Sequence, residues 1–369
     1  MKQSPLFEMQ LRDHPDLVAT PSYGSTWSVI EQYQAGPDAW RTEYDASLHA
    51  PGASLIDRSY KSALRIVGRD RQTFLQGLVS NDVAKLVPGQ GCRAALLDNK
   101  GRVLAGTTVH CLADSLILET DPQCALVLLD TLDEYLIMED AEIVDESDQW
   151  VALGLVGAGA IDVAESVFDV QGLSSLGPLD HKVLSGAFTN GFVTVTYTAP
   201  VLGLEAWLPV SAAMRAWQEL SARATATGSV ADNTFRVESG QLLWGGDIYT
   251  GLLLPELDRS EWISYSKGCY VGQEIVARLH SRGHTNRALR QLLWEDGSAT
   301  PSIGDVLYGS QPKSGSIQDI GFVTSVVVSP RHDDRVLGLG YVRKEVLDLN
   351  TGVSWIDPNT GRSFVVQIL

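Results

Sequence analysis

From Thr285 to the C-terminus the chain is built of short β-rich runs, GFVTSVVVS, VLGLGYV and SFVVQIL, broken by Gly, Pro and Asp pairs. Apolar runs this short, rich in β-branched residues and interrupted this often, read as strands. The spacing predicts a small barrel or sandwich, with a domain boundary near Gly283. The preceding sequence reads differently. ASLIDRSYKSALRIVG gives strand, turn and strand, and RDRQTFLQGLV a short helix with Phe74, Leu75, Leu78 and Val79 on one side. CRAALLDNKGRVLAGTTVHCL turns at Asn99, Lys100 and Gly101 as antiparallel strands do, and SLILET adds another strand. Asp121 and Pro122 suit the N-cap and first position of a helix over QCALVLLDTLDEYLIM, with Leu126, Leu129, Leu132, Leu136 and Ile137 as its predicted apolar face. A second mixed unit follows: a strand over 150–156, a helix near 158–168, strands GFVTVTYT and LEAWLPV, and helices near 211–226 and 231–243. The fold class is α+β, divided into 1–145, 146–283 and 284–369, without a residue-level repeat.

With 369 residues, 44% of them apolar and 20% charged, the chain has room for two or three domains. Its formal charge of -17 leaves no basic footprint, which speaks against nucleic-acid and anionic-membrane partners. No segment approaches bilayer-spanning length, and MKQSPLFEMQLRDHPDL lacks the apolar run of a secretory signal, so a cytoplasmic protein is expected. Cys92, Cys111, Cys124 and Cys269 form no C-x-x-C pair and have no His at zinc spacing; neither a disulfide framework nor a metal site is predicted. VALGLVGAGAID resembles a dinucleotide loop, but counted from Gly157 its third glycine is Asp162, which would face a pyrophosphate. A close strand-to-helix turn is the better reading.

Two residues stand out chemically. Cys269, in KGCYVGQEIVARLH, precedes a segment that reads as a helix, whose N-terminal amides would favour a thiolate. Lys267, Arg278, Arg282, Arg287 and Arg290 surround it in sequence with Glu274 as the one acid, a local charge of +4 suited to an anionic ligand. The residues also allow a plain small side chain in a turn. Asp82, in the loop SNDV, is either a turn cap or an acceptor or acid/base group facing a ligand nitrogen.

LIDRS, FLQGLVSNDV, DNKGRVL, RVESG and KGCYVGQE occur in an order that resembles the folate-binding superfamily of the glycine-cleavage T-protein (aminomethyltransferase), and the last string resembles the hallmark of its YgfZ branch. The resemblance implies a three-domain ring, two α/β units and a C-terminal β-barrel, around a tunnel for tetrahydrofolate. It implies a tetrahydrofolate-binding protein that assists assembly or repair of iron–sulfur clusters, with client enzymes or assembly factors as partners. The alternative is a folate-dependent aminomethyltransferase that passes a one-carbon unit from a lipoyl carrier to tetrahydrofolate. Carried over by position, Asp82 matches the carboxylate near the folate's reactive nitrogens, Arg236, Glu205 and Tyr197 match residues that hold the ligand, and Cys269 is the reactive residue of the YgfZ string. The strand reading YTAPVLGLE departs from the family's Tyr-Thr-Gly-Glu and is one residue longer, which bears on Tyr197 and Glu205.

Overall fold

In a computed structural model that describes residues 1–22, 26–49, 51–310, 317–348 and 352–369, the chain divides into two units. One comprises Met1–Leu96, Leu104–Asp232 and Glu261–Val271; the other comprises Leu97–Val103, Asn233–Ser260 and Gly272–Leu369.

Among the described residues the first unit carries a two-stranded ribbon, Val18–Pro21 with Ser28–Gln32, and two larger sheets. The five-stranded sheet runs in the order Gly91–Leu97, Val103–Cys111, Leu116–Thr120, Ser62–Val67 and Glu142–Asp145. The six-stranded sheet runs His181–Val183, Phe192–Tyr197, Gly203–Pro209, Trp150–Val156, Ser54–Asp57 and Thr225–Ala226. The unbroken apolar run WVALGLV becomes a central strand buried at every position, as expected of a strand covered on both faces. On one face Leu153 and Leu155 pack with Val163 and Val167 of the helix Ala160–Phe168 and with Ala213, Trp217 and Leu220 of the helix Val210–Ser221. On the other face Trp150, Ala152, Phe192 and Trp207 meet Ala63 and Ile117 of the five-stranded sheet. Each fully buried leucine here contributes about 1.5–3 kcal/mol.

The VGAGA glycines serve this packing. A Cβ on Gly157, at φ +125°, or on Gly159 would run into the backbone of Ser47 or Pro51 respectively. This is the close turn read from the sequence. Asp121 caps the helix Pro122–Tyr135 by accepting from the Gln123 amide at 3.0 Å. The predicted apolar face of that helix needs correction. Cys124, Leu128 and Leu132 are buried, whereas Leu126 is 66% exposed and Ile137, beyond the last turn, 82% exposed.

In the second unit six strands close a barrel in the order Arg287–Trp294, Arg335–Arg343, Ile317–Ser329, Val306–Ser310, Val353–Ile356 and Ser363–Ile368. The last strand returns to the first, with Leu292 opposite Ile368, so neither is left as an open edge. Leu292, Trp294, Ile320, Val323, Trp355 and Phe364 fill its interior. Among the described residues no helix is long and apolar enough to cross a membrane.

Candidate functional site

Asp82 sits in the loop that follows the short helix Arg71–Gln76. Its carboxylate accepts from Gln76 Nε2 at 2.9 Å and pairs with Lys85 Nζ at 2.6 Å. Gln76 turns its other atom, Oε1, to the amides of Val83 at 2.8 Å and Ala84 at 3.1 Å, so one side chain braces both sides of the loop. The hydrogen bond from Lys85 holds the Asp82 carboxyl below its ordinary range. The group is therefore an ionised acceptor, partly open to solvent, and not a stored proton.

The segment 261–271 crosses this loop as a strap. Ser80 Oγ donates to Trp262 O at 2.7 Å, Ser264 N donates to Ser80 O at 3.0 Å, and Val271 N donates to Gly77 O at 3.3 Å. Lys267 is buried, and its ammonium donates to three carbonyl oxygens, Gln76 and Val79 at 2.6 Å and Asn81 at 2.8 Å. Cys269, two residues further, is exposed, whereas Cys111 and Cys124 are buried and Cys92 is half-buried. Burial pushes the Cys92 and Cys124 thiols up to about 12 and raises that of Cys111. The helix read over GQEIVARLH starts at Gln273, four residues after Cys269, behind Gly272, so Cys269 is not one of its cap residues.

Three of the five cations expected to form an anion pocket over 267–290 are engaged elsewhere. Lys267 spends its charge on carbonyls, Arg287 pairs with Glu256 at 3.0 Å, and Arg290 pairs with Asp258 at 2.6 Å. The acids that pair with Arg287 and Arg290 lie outside the run in sequence.

Glu205 belongs to a buried cluster of charges in the first unit. Arg58 Nη1 donates to Glu205 at 3.0 Å, and Arg58 Nε and Nη2 clasp Asp232 at 3.1 and 2.6 Å. Lys61 Nζ reaches both oxygens of Glu205 at 2.8 Å and Glu119 at 2.6 Å, and His110 Nε2 lies 3.0 Å from the other oxygen of Glu119. Burial alone would raise the Glu119 carboxyl, but Lys61 and His110 together hold it far below its ordinary range. Burial works against the Lys61 ammonium in the same way, and the two carboxylates more than reverse it. Gly154 makes room for this arrangement, since a Cβ there would lie 2.9 Å from Arg58 Cζ. Tyr197 lies at the margin of the cluster, its ring against Gly203 and its phenol pKa raised by burial.

Arg236, the arginine of RVESG, lies in the second unit, and its guanidinium makes four hydrogen bonds there. Nε donates to Asn233 Oδ1 at 2.9 Å, Nη1 to Gln241 O at 2.8 Å and Asp247 Oδ2 at 2.7 Å, and Nη2 to Ser325 Oγ at 2.8 Å. Asp247 is fully buried and also accepts from Thr324 and Ser325, so Arg236 is the cation that balances a carboxylate inside its own unit.

The sequence reading missed Arg58, Lys61, Glu119, Asp232 and Gln76. A signal was present for three of them. Arg58 and Lys61 interrupt a strongly apolar strand-turn-strand pattern and Glu119 interrupts SLILET; charges in such places are buried with partners. Among the described residues no three His, Cys, Asp or Glu side chains converge to hold a metal ion.

A model of the GCVT N-terminal domain matches residues 17–257. The chain is 26% identical over 356 residues to an aminomethyltransferase of Halothermothrix orenii, covering 93% of this chain and 92% of that one. It is 27% identical over 260 residues to the tRNA-modifying protein YgfZ of Pectobacterium atrosepticum, covering 69% and 74%. Among solved structures it is similar in fold to the glycine cleavage system aminomethyltransferase T of Bartonella henselae, with a TM-score of 0.83 and 21% identity over 100% of this chain and 96% of that one.

Proposed function

Because the chain belongs to the family defined by the GCVT N-terminal domain, we propose that it is a cytoplasmic tetrahydrofolate-binding protein that assists assembly or repair of iron–sulfur clusters in client enzymes. The observation that carries this reading is the strap. It puts an exposed thiol, Cys269, on the same short segment that holds the loop of Asp82, and the string involved is the one that resembles the YgfZ branch. Asp82 suits a reduced folate, because an ionised, partly open carboxylate accepts hydrogen bonds from ligand N–H groups. Glu205 already has two charged partners, and its part in binding is to hold the surroundings of the ligand in place. Tetrahydrofolate, when bound, supplies a carrier for one-carbon units.

The test is an anaerobic titration with tetrahydrofolate, joined to rescue of iron–sulfur enzyme activity in cells lacking the protein. Binding by the wild type, weakened in Asp82→Asn, with rescue lost in Cys269→Ser, is the expected result. Full rescue by Cys269→Ser removes the thiol from the function, and absence of folate binding removes the folate site.

A second reading, folate-dependent aminomethyl transfer, is favoured by the match to the Halothermothrix orenii aminomethyltransferase along 93% of this chain. Transfer from an aminomethylated lipoyl carrier to tetrahydrofolate by the purified protein would establish it in place of the first.

A further inference from the structure

We infer that Lys267 is a positioning residue that sets the conformation of the Asp82 loop and of the Cys269 segment together, through three hydrogen bonds from one buried ammonium. The inference rests on the proposed function for what the loop and the thiol do, and on the geometry alone for what Lys267 does.

The ammonium has three N–H groups, and three carbonyl oxygens receive them: Gln76 at 2.6 Å, Val79 at 2.6 Å and Asn81 at 2.8 Å. These are the last residue of the helix Arg71–Gln76, the residue beyond the following turn that bridges to Leu96, and the residue that precedes Asp82. A helix end leaves carbonyls without backbone partners, and a buried carbonyl without a donor is costly. Lys267 supplies donors to the helix end and to the loop at once. Asn81 continues the brace, since its side chain donates to Arg93 O at 2.8 Å and Glu261 O at 2.9 Å while its Oδ1 accepts from the Asp82 amide at 2.9 Å. On the strap, Lys267 N donates to Ser264 Oγ at 3.2 Å, and the ammonium lies 4.8 Å from the ring centroid of Tyr270, the neighbour of Cys269. Removing the ammonium therefore takes three donors from the helix end and the loop, and the cation from the face of Tyr270.

The desolvation of this charge supports the assignment. Burial pushes the Lys267 ammonium down to about 8, with Asp82 and Cys92 opposing the shift. A solvated surface lysine would carry no such cost, and here it is offset by three short contacts to the loop.

The test compares Lys267→Met, with no donor, and Lys267→Gln, with two, against the wild type. Hydrogen exchange is read in peptides covering 77–85 and, as a reference, the strands Phe192–Tyr197 and Gly203–Pro209 of the same unit; alkylation of Cys269 and tetrahydrofolate affinity are read in parallel. Exchange of the loop is expected to quicken by about tenfold or more in Lys267→Met and by less in Lys267→Gln, with the reference strands unchanged. The Cys269 alkylation rate should change and folate affinity should fall in the same order. Unchanged loop exchange, or quickening shared equally by the reference strands, overturns the inference. So does failure of both variants to fold, which would make Lys267 a support of the whole unit. If the wild type takes up no folate, the proposed function falls, while exchange and alkylation still decide the role of Lys267.

Discussion

Asp82 and Glu205 are carboxylates of one unit, and the resemblance carries both to the same ligand, yet their surroundings assign them different work. Glu205 is fully buried, and both its oxygens are taken by Arg58 and Lys61. Asp82 keeps a path to solvent and has a 74% exposed lysine as its ionic partner. A buried carboxylate with two cations is expensive to disturb and has little left to offer a ligand. A carboxylate with an exposed partner is cheap to alter and can exchange that partner for a ligand donor. Position in a motif identifies a residue; its partners decide whether it binds or supports.

The largest expected effect breaks the buried side. Glu205→Gln leaves Arg58 and Lys61 short of one counter-charge and is expected to cost about 3–5 kcal/mol in urea unfolding of the first unit. Arg236→Ala should cost about 3 kcal/mol in the second unit, because it strips the cation from buried Asp247. Losses below about 1 kcal/mol would mean that these charges are not clamped and are free for a ligand, and the contrast with Asp82 would collapse.

Acid should find the same weakness. His181 is buried against the rings of His110 and Phe192, and its Nε2 lies 3.1 Å from Cys111 O. Burial lowers its pKa to about 4, against about 6.5 in the unfolded chain. Between those values the unfolded state binds more protons, so stability from this group is complete above pH ~6.5 and is lost as pH falls through ~4. The loss amounts to about 3 kcal/mol over that window. His181→Phe should flatten the slope of unfolding free energy between pH ~6.5 and ~4, and an unchanged slope would place the acid sensitivity of that window in another group.

Much of this fold is legible in the sequence, and the reason is locality. The cap at Asp121, the strand-to-helix turn at Gly157 and Gly159, and the short strands of the barrel all depend on neighbours a few residues away. The buried face of the helix after Asp121 is not legible in this way, because leucines at 126, 128, 129 and 132 satisfy two overlapping helical stripes, and only the sheet beneath decides between them. The charge run 267–290 misleads for a related reason. The counter-ions of Arg287 and Arg290, Glu256 and Asp258, stand outside the run, and the carbonyls that take Lys267 lie more than 180 residues away. The resemblance names Asp82 and Glu205 alike, and no local pattern separates an open carboxylate from a closed one.

On the open side, Asp82→Asn keeps the shape and the bond from Gln76, and loses only the ionic contact with Lys85. Stability should change by less than about 1 kcal/mol. Tetrahydrofolate affinity should fall by about 1.5–3 kcal/mol, the value of a hydrogen bond to a charged group. A large stability loss with unchanged affinity would reverse the comparison and make Asp82 the support.

The smallest expected effect on stability sharpens the comparison most. Cys269 is exposed, so Cys269→Ser removes no buried contact, and its effect on unfolding should stay within about 0.5 kcal/mol. Its chemistry should still be distinct. The other three thiols are shielded, and burial raises their pKa values, so near neutral pH they present little thiolate. Iodoacetamide should therefore modify Cys269 at least ~10 times faster than Cys92, Cys111 or Cys124, read by peptide mapping after brief exposure. Saturating folate should slow that modification if the strap and the Asp82 loop serve one ligand, and leave it unchanged if they do not. A thiol that can be replaced without loss of stability, that reacts first, and that a ligand protects is acting through chemistry and not through packing, which is the same division that separates Asp82 from Glu205.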